Sequence, residues 1–233
     1  AIAEVARDPR RLDQVFAVCD AGLANDDATM SAILASIRRH PQGAAALHDR
    51  PRLGQPSLEA LEQLAPGTLG RAYAAHMRAA GLDPAKLPQR ATHDAASYFL
   101  PHLIETHDVW HVVTGFGTDV AGELGLMSFY AAQSPGKVPL MILVSGLIAT
   151  IRTGMHEKDR RLDAVAAGWM LGKRARPLFG ARWNLLWPVP LAEVRRRFAI
   201  DLDRVHRFVE DTRVVEERPD HQQPPAHLPL PPS

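Results

Sequence analysis

The stretch from His107 to Glu123, HDVWHVVTGFGTDVAGE, constrains the chain more than any other. It holds two histidines four residues apart, a carboxylate beside the first, and a second carboxylate twelve residues after His111. Positions i and i+4 share a face only on a helix, so His107 and His111 can address one ion only if this segment is helical. Asp108 then sits about 100° round the helix, at the edge of the same site. Gly115 and Gly117 break the helix. Thr118 and Asp119 are good caps for a second helix, which presents Glu123 one turn in. Two imidazole nitrogens and two carboxylate oxygens suit zinc, and they also serve iron or manganese. The competing reading is that each histidine is an ordinary satisfied polar residue on a helix.

Composition narrows the rest. A length of 233 residues suits one domain, or one domain and a tail. Hydrophobic residues at 46% are enough for a substantial core. Lys plus Arg is 27 against 26 for Asp plus Glu, so no nucleic-acid surface spread over the protein is expected. Cys19 is the single cysteine, which excludes an intramolecular disulfide, and its apolar neighbours Val15, Phe16 and Val18 suggest a buried thiol. The start, Ala1-Ile2-Ala3-Glu4, lacks the basic and apolar regions of a signal peptide. The longest apolar run, Val138 to Ile151, would reach about 21 Å as a helix, against roughly 30 Å for a bilayer core. It reads as a buried or membrane-touching helix.

Helical spacing recurs along the chain. Leu12, Val15, Phe16 and Cys19 mark a helix over 8–24, and Met30, Ile33, Leu34 and Ile37 a second that ends near His40-Pro41. Residues 41–57 read mainly as loop, and Ser57 opens a short helix. Leu69, Tyr73 and Met77 share a face of the next. Residues 91–114 form a long helical pattern that Pro101 kinks or breaks. Helices over 118–133 and 138–152 follow. Over 159–174, Leu162, Val165, Ala166, Trp169 and Met170 are expected inward, with Arg160, Arg161 and Lys173 outward. The last helix spans 190–200. No run alternates as a strand would. The expected fold is an all-α, single-domain multi-helix bundle over residues 1–210, with a metal site between two helices. A disordered Pro-rich tail is expected over 211–233.

The residues also carry a resemblance. His107-Asp108-x-x-His111, eleven residues, then Glu123 resembles the H-D-x-x-H-x(11)-E signature of the coenzyme Q (ubiquinone) biosynthesis protein four family, "Coq-four". Gly67-Thr68-Leu69-Gly70-x-x-Tyr73, Thr118-Asp119-x-x-Gly122-Glu123, Ile151-Arg152-x-Gly154, Gly172-Lys173-Arg174-Ala175 and Arg182-Trp183 resemble further family segments, in order. The resemblance covers roughly residues 55–202. Leu103-Ile104-Glu105-Thr106 departs from the arginine-richer family pattern before the motif.

The resemblance implies an all-α protein, often a homodimer, holding a divalent metal, chiefly zinc, through His107, Asp108, His111 and Glu123. It implies association with the membrane surface and with other ubiquinone-biosynthesis proteins. The implied location is the bacterial cytoplasm, peripheral to the inner membrane, or the matrix side of the mitochondrial inner membrane. The implied reaction removes the C1 carboxylate of a polyprenylated 4-hydroxybenzoate-derived precursor and replaces it with hydroxyl. The same four residues would then be catalytic, one carboxylate staying free as a proton carrier. The helix over 138–151 and a Leu124, Met127, Phe129 surface are candidates for a polyprenyl trough, with plain core as the alternative.

Two rival readings remain at this level. One is a non-catalytic, metal-stabilised prenyl-lipid scaffold. The other is a metal phosphohydrolase using both His93-Asp94 and His107-Asp108. Arg152 either binds an anionic substrate group or complements a helix C-terminus. Lys173, Arg174, Arg176 and Arg182, near Trp169, Phe179, Trp183 and Trp187, form either a membrane-surface patch or a solvated face over core aromatics. His76 and the other scattered histidines receive no role.

Overall fold

The computed structural model describes residues 27–87 and 89–216, with side chains as far as Glu210. The helix expected over 8–24, Cys19 and the tail after Glu216 lie outside the described residues. Among the described residues there are ten α-helices and no strand. They are α1 (Asp27–Arg38), α2 (Pro41–Asp49), α3 (Leu58–Glu62), α4 (Leu69–Ala80) and α5 (Ala95–Thr114). Then come α6 (Val120–Gln133), α7 (Lys137–Thr153), α8 (Lys158–Arg174), α9 (Leu191–Arg197) and α10 (Leu202–Glu216). The all-α reading holds.

Local chemistry explains most of the boundaries. Ser57 caps α3 by accepting from the Ala60 N–H at 3.2 Å. Thr68 gives α4 no side-chain cap; instead the Leu69 and Gly70 N–H groups donate to the Val189 and Trp187 carbonyls, both at 2.9 Å. The chain after α8 therefore ties down the start of α4. Pro101 does not break α5, which runs unbroken through it.

Three expectations change. The segment after His40 is helical rather than loop: Pro41 opens α2 in its first turn, where a missing N–H costs nothing. A helix beyond Ile200, not expected from the sequence, is capped by Asp201, which accepts from the Arg204 N–H at 3.0 Å. It runs through residue 210, the expected domain limit, to Glu216. Finally, α8 is turned relative to its expected facing. Leu162 and Trp169 are half exposed and Ala166 is exposed, while Arg161, Ala167, Gly168, Leu171 and Gly172 face inward. The reason is backbone proximity. A Cβ on Gly168 would lie 2.0 Å from the Gly125 carbonyl oxygen, so α8 packs on α6 through its glycine face. Arg161 is buried with partners, donating to Thr150 Oγ1 at 3.0 Å and to Glu157 at 2.6 Å.

The main core gathers Tyr73, Trp110, Phe129, Trp183 and Trp187 between α4, α5, α6 and the segment before α9. A second cluster of Ile33, Leu34, Leu47, Tyr98, Phe99 and Phe179 joins α1 and α2 to α5. Leu124, Met127 and Phe129 belong to the main core rather than to a surface trough. Trp183, Trp187 and Phe179 are likewise buried, which leaves Trp169, with Lys173 over its ring, as the exposed aromatic of the basic segment. By contrast α7 buries only Leu143, Gly146 and Thr150, and exposes Leu140, Val144, Ile148 and Ile151. No single described helix is long and apolar enough to cross a membrane, and α7 turns by 115° into the helical segment that includes α8.

Candidate metal centre

Helix α5 begins at Asp94, which accepts from the Ser97 N–H at 2.8 Å while Ser97 Oγ accepts from the Asp94 N–H at 3.0 Å. His93-Asp94 is thus an exposed capping element, which removes the second dipeptide that the phosphohydrolase reading needs. Four turns on, α5 delivers His107 and His111 to one face. Gly115 ends the helix at φ 78°, with its N–H donating to the His111 carbonyl at 2.8 Å. The chain then folds back tightly, and Asp119 starts α6 by accepting from the Gly122 N–H at 2.9 Å. Glu123 is carried in the first turn of α6, opposite the histidines.

His107, His111 and Glu123 each offer one atom such that all three lie within 4.8 Å of one another. His111 Nε2 lies 3.2 Å from His107 Nε2 and 3.3 Å from one Glu123 oxygen. The other Glu123 oxygen is 3.7 Å from His107 Nε2. Bonds of about 2.0–2.1 Å in tetrahedral geometry set donors roughly 3.3 Å apart, so the three groups fit a small divalent ion. His111 Nδ1 faces the Phe116 carbonyl at 3.0 Å. A carbonyl only accepts, so Nδ1 carries the proton and Nε2 is left as a ligand. His111 is fully buried, whereas His107 and Glu123 keep 31% and 25% of their side chains exposed, so the group opens to solvent on one side.

The electrostatics agree. Burial opposes the charged form of Glu123, but bonds to His107 and His111 prevail and hold its carboxyl well below the usual range. Burial also works against the His107 imidazolium, and Glu123, then Asp108, outweigh it and raise its pKa. Asp108 stays ionised despite burial because His76, His107 and His111 surround it.

Asp108 stands outside the three-residue group. Its carboxylate lies 3.8 Å from His76 Nε2 on α4. His76 also stacks on the His111 ring, with centroids 5.5 Å apart and planes at 25°. Sequence reasoning missed His76 because it lies 31 positions before His107, on another helix, with no spacing to link them. A partial signal existed: His76 follows Tyr73 by three residues, on the face of α4 that carries the core. Arg152 is exposed in the last turn of α7, and no hydrogen bond joins it to the three-residue group.

Comparison with known proteins now bears on this geometry. A family model described as coenzyme Q (ubiquinone) biosynthesis protein Coq4 matches residues 2–203, reaching further toward the N-terminus than the motifs do. The mitochondrial ubiquinone biosynthesis protein COQ4 homologues of Bos taurus and Homo sapiens are 27% and 26% identical over 83% and 85% of this chain. The chain spans 72% and 74% of those two proteins, but only 54% of the Podospora anserina COQ4, to which it is 28% identical over 70% of its own length. A crystal structure from Nostoc punctiforme, of a protein assigned to ubiquinone biosynthesis, superposes with a TM-score of 0.72 at 26% identity. That match covers 86% of this chain and 95% of the other. A match over nearly the whole chain, carried by a fold shared with a solved relative, places this protein in the coenzyme Q (ubiquinone) biosynthesis protein Coq4 family.

Proposed function

We propose that this protein catalyses the oxidative decarboxylation of a polyprenylated 4-hydroxybenzoate-derived precursor in ubiquinone biosynthesis. In that reaction the bond from C1 to the carboxyl carbon breaks, CO₂ leaves and a hydroxyl takes its place; the two electrons lost go to dioxygen, so that the acid, dioxygen and water give the phenol, CO₂ and hydrogen peroxide. The observation that carries the reading is the three-donor group His107, His111 and Glu123, open on one side. Two imidazoles and one carboxylate leave a coordination position vacant, as catalytic sites do and closed structural sites do not. A divalent ion held there, zinc by its donor set and iron or manganese by the same ligands, supplies Lewis acidity toward a carboxylate or phenolate oxygen. Asp108 is the carboxylate left free of the group. It lies one residue from His107 and faces His76 at 3.8 Å, and as the carboxylate outside the donor set it would be the one to relay a proton from the ring hydroxyl.

Replacing Glu123 with Gln keeps its size and removes its charge. The expected result is loss of bound metal, by elemental analysis, together with at least a hundredfold loss of decarboxylated product by mass spectrometry. Product at the normal rate from metal-free protein would sink the enzymatic reading.

A second reading, the prenyl-lipid scaffold, is favoured by α7. Its exposed stripe of Leu140, Val144, Ile148 and Ile151 continues to Met155, which is also half exposed. Exposed Arg152, Lys173 and Arg174 lie at the end of α7 and on α8. An apolar stripe with cations nearby suits an anionic bilayer surface, on the inner face of an energy-transducing membrane, where prenylated intermediates and their other enzymes reside. Ile148→Glu is expected to abolish flotation with phosphatidylglycerol-containing vesicles and leave the metal in place. If instead the variant still floats and a dimer falls to a monomer by light scattering, the stripe is a homodimer interface.

A further inference from the structure

We propose that His76 is a positioning residue for the metal ligand His111, acting through the face of its ring. This rests on the reading of His107, His111 and Glu123 as a metal centre. Outside the three-donor group, the His111 ring makes one hydrogen bond, from Nδ1 to the Phe116 carbonyl. That bond fixes the tautomer but not the tilt of the ring about the Nδ1–oxygen line, which is left to whatever packs on its faces. A tilt swings Nε2 away from the point shared with His107 and Glu123. His107 meets His111 at 88°, with centroids 4.7 Å apart, so the two rings do not lie flat on each other. The His76 ring does lie over that of His111, at 5.5 Å and 25°, an offset-stacked arrangement.

The nitrogen of His76 plays little part in this. Its Nε2 is buried, makes no hydrogen bond, and stands 3.8 Å from Asp108. The close contact is made by the ring plane. A flat ring without nitrogens should therefore serve as well, and a branched aliphatic side chain of similar bulk should not. His76 keeps 16% of its side chain exposed, in the second half of α4.

The test is Zn²⁺ affinity of the full chain, by competition with a chromophoric chelator, for wild type, His76→Phe and His76→Leu, with the melting temperature of each metal-free protein. His76→Phe is expected within about twofold of wild type, and His76→Leu about tenfold weaker or more, as for other groups that orient a ligand. All three should melt at similar temperatures. Equal affinity for His76→Leu and wild type would overturn the proposal. So would a His76→Phe variant as weak as His76→Leu, which would assign the effect to the nitrogen. Wild-type protein that takes up no zinc would overturn the metal-centre reading itself, a distinguishable outcome.

Discussion

Helix α5 carries two fully buried histidines nine residues apart, His102 and His111, and their surroundings assign them opposite tasks. His102 is saturated. The Gly180 N–H donates to its Nε2 at 3.0 Å, so Nδ1 carries the proton and donates to Tyr98 Oη at 2.8 Å. The Tyr98 hydroxyl in turn donates to the Pro51 carbonyl at 2.9 Å. Every polar atom of the chain of contacts is used, and the ring packs edge-on against Phe179 at 4.8 Å. His111 spends only Nδ1 on the backbone and turns Nε2 toward another imidazole and a carboxylate. Burial alone does not separate a structural histidine from a ligand. An uncommitted nitrogen facing other donors does.

The largest expected effects come from deleting each ring in turn. His102→Ala removes packing and leaves the Gly180 N–H and the Tyr98 hydroxyl short of a partner, a loss of about 3–4 kcal/mol in denaturant unfolding, with zinc affinity kept in the folded fraction. His111→Ala should do the reverse, with zinc affinity falling about a hundredfold or more and the metal-free fold losing less. Equal losses of stability from the two would erase the contrast.

Acid provides a second, somewhat smaller test. Burial pushes the His102 imidazole down to about 4, below its ordinary value near 6.5 in an unfolded chain. The unfolded chain therefore takes up a proton that the native protein refuses, and the contribution of His102 is complete above about pH 6.5 and declines toward pH 4. The stability difference between wild type and His102→Gln, which does not titrate, should shrink by about 2 kcal/mol between pH 7 and pH 5. A constant difference would mean that His102 takes up its proton as readily in the native protein as in the unfolded chain.

The smallest effect concerns how Glu123 is presented. Asp119 caps α6 and also pairs with Arg160 of α8. Asp119→Ala should cost about 1 kcal/mol of stability and weaken zinc binding severalfold, because the first turn of α6 frays. Unchanged metal affinity would show that Glu123 is held by packing alone.

Much of this was legible in the sequence. The i, i+4 histidines, the glycine break and the Asp119 cap need only local rules, and the structure puts each where those rules say. What stayed hidden depended on tertiary neighbours. Pro41 looked like a stop and is a start, because its role depends on which side the helix lies. The inward face of α8 could not be read from apolar residues when glycines, by letting two backbones touch, decide the packing. His76 reaches the site from another helix, and Asp108 turns toward it rather than toward the three-residue group, a choice set by where α4 lies.

The close backbone contact of α8 with α6 at Gly168 and Gly125 has a mechanical consequence. It makes α6 and α8 one stiff strut, and Trp110 of α5, stacked on Tyr130 at 4.2 Å and edge-on to Phe129, keys α5 into that strut. The two histidines and the glutamate therefore sit on helices locked into one apolar core, joined by the short link from Gly115 to Asp119. The spacing of the three donors is thus gauged by the core before anything binds, so a metal would enter a ready-made socket rather than draw one together.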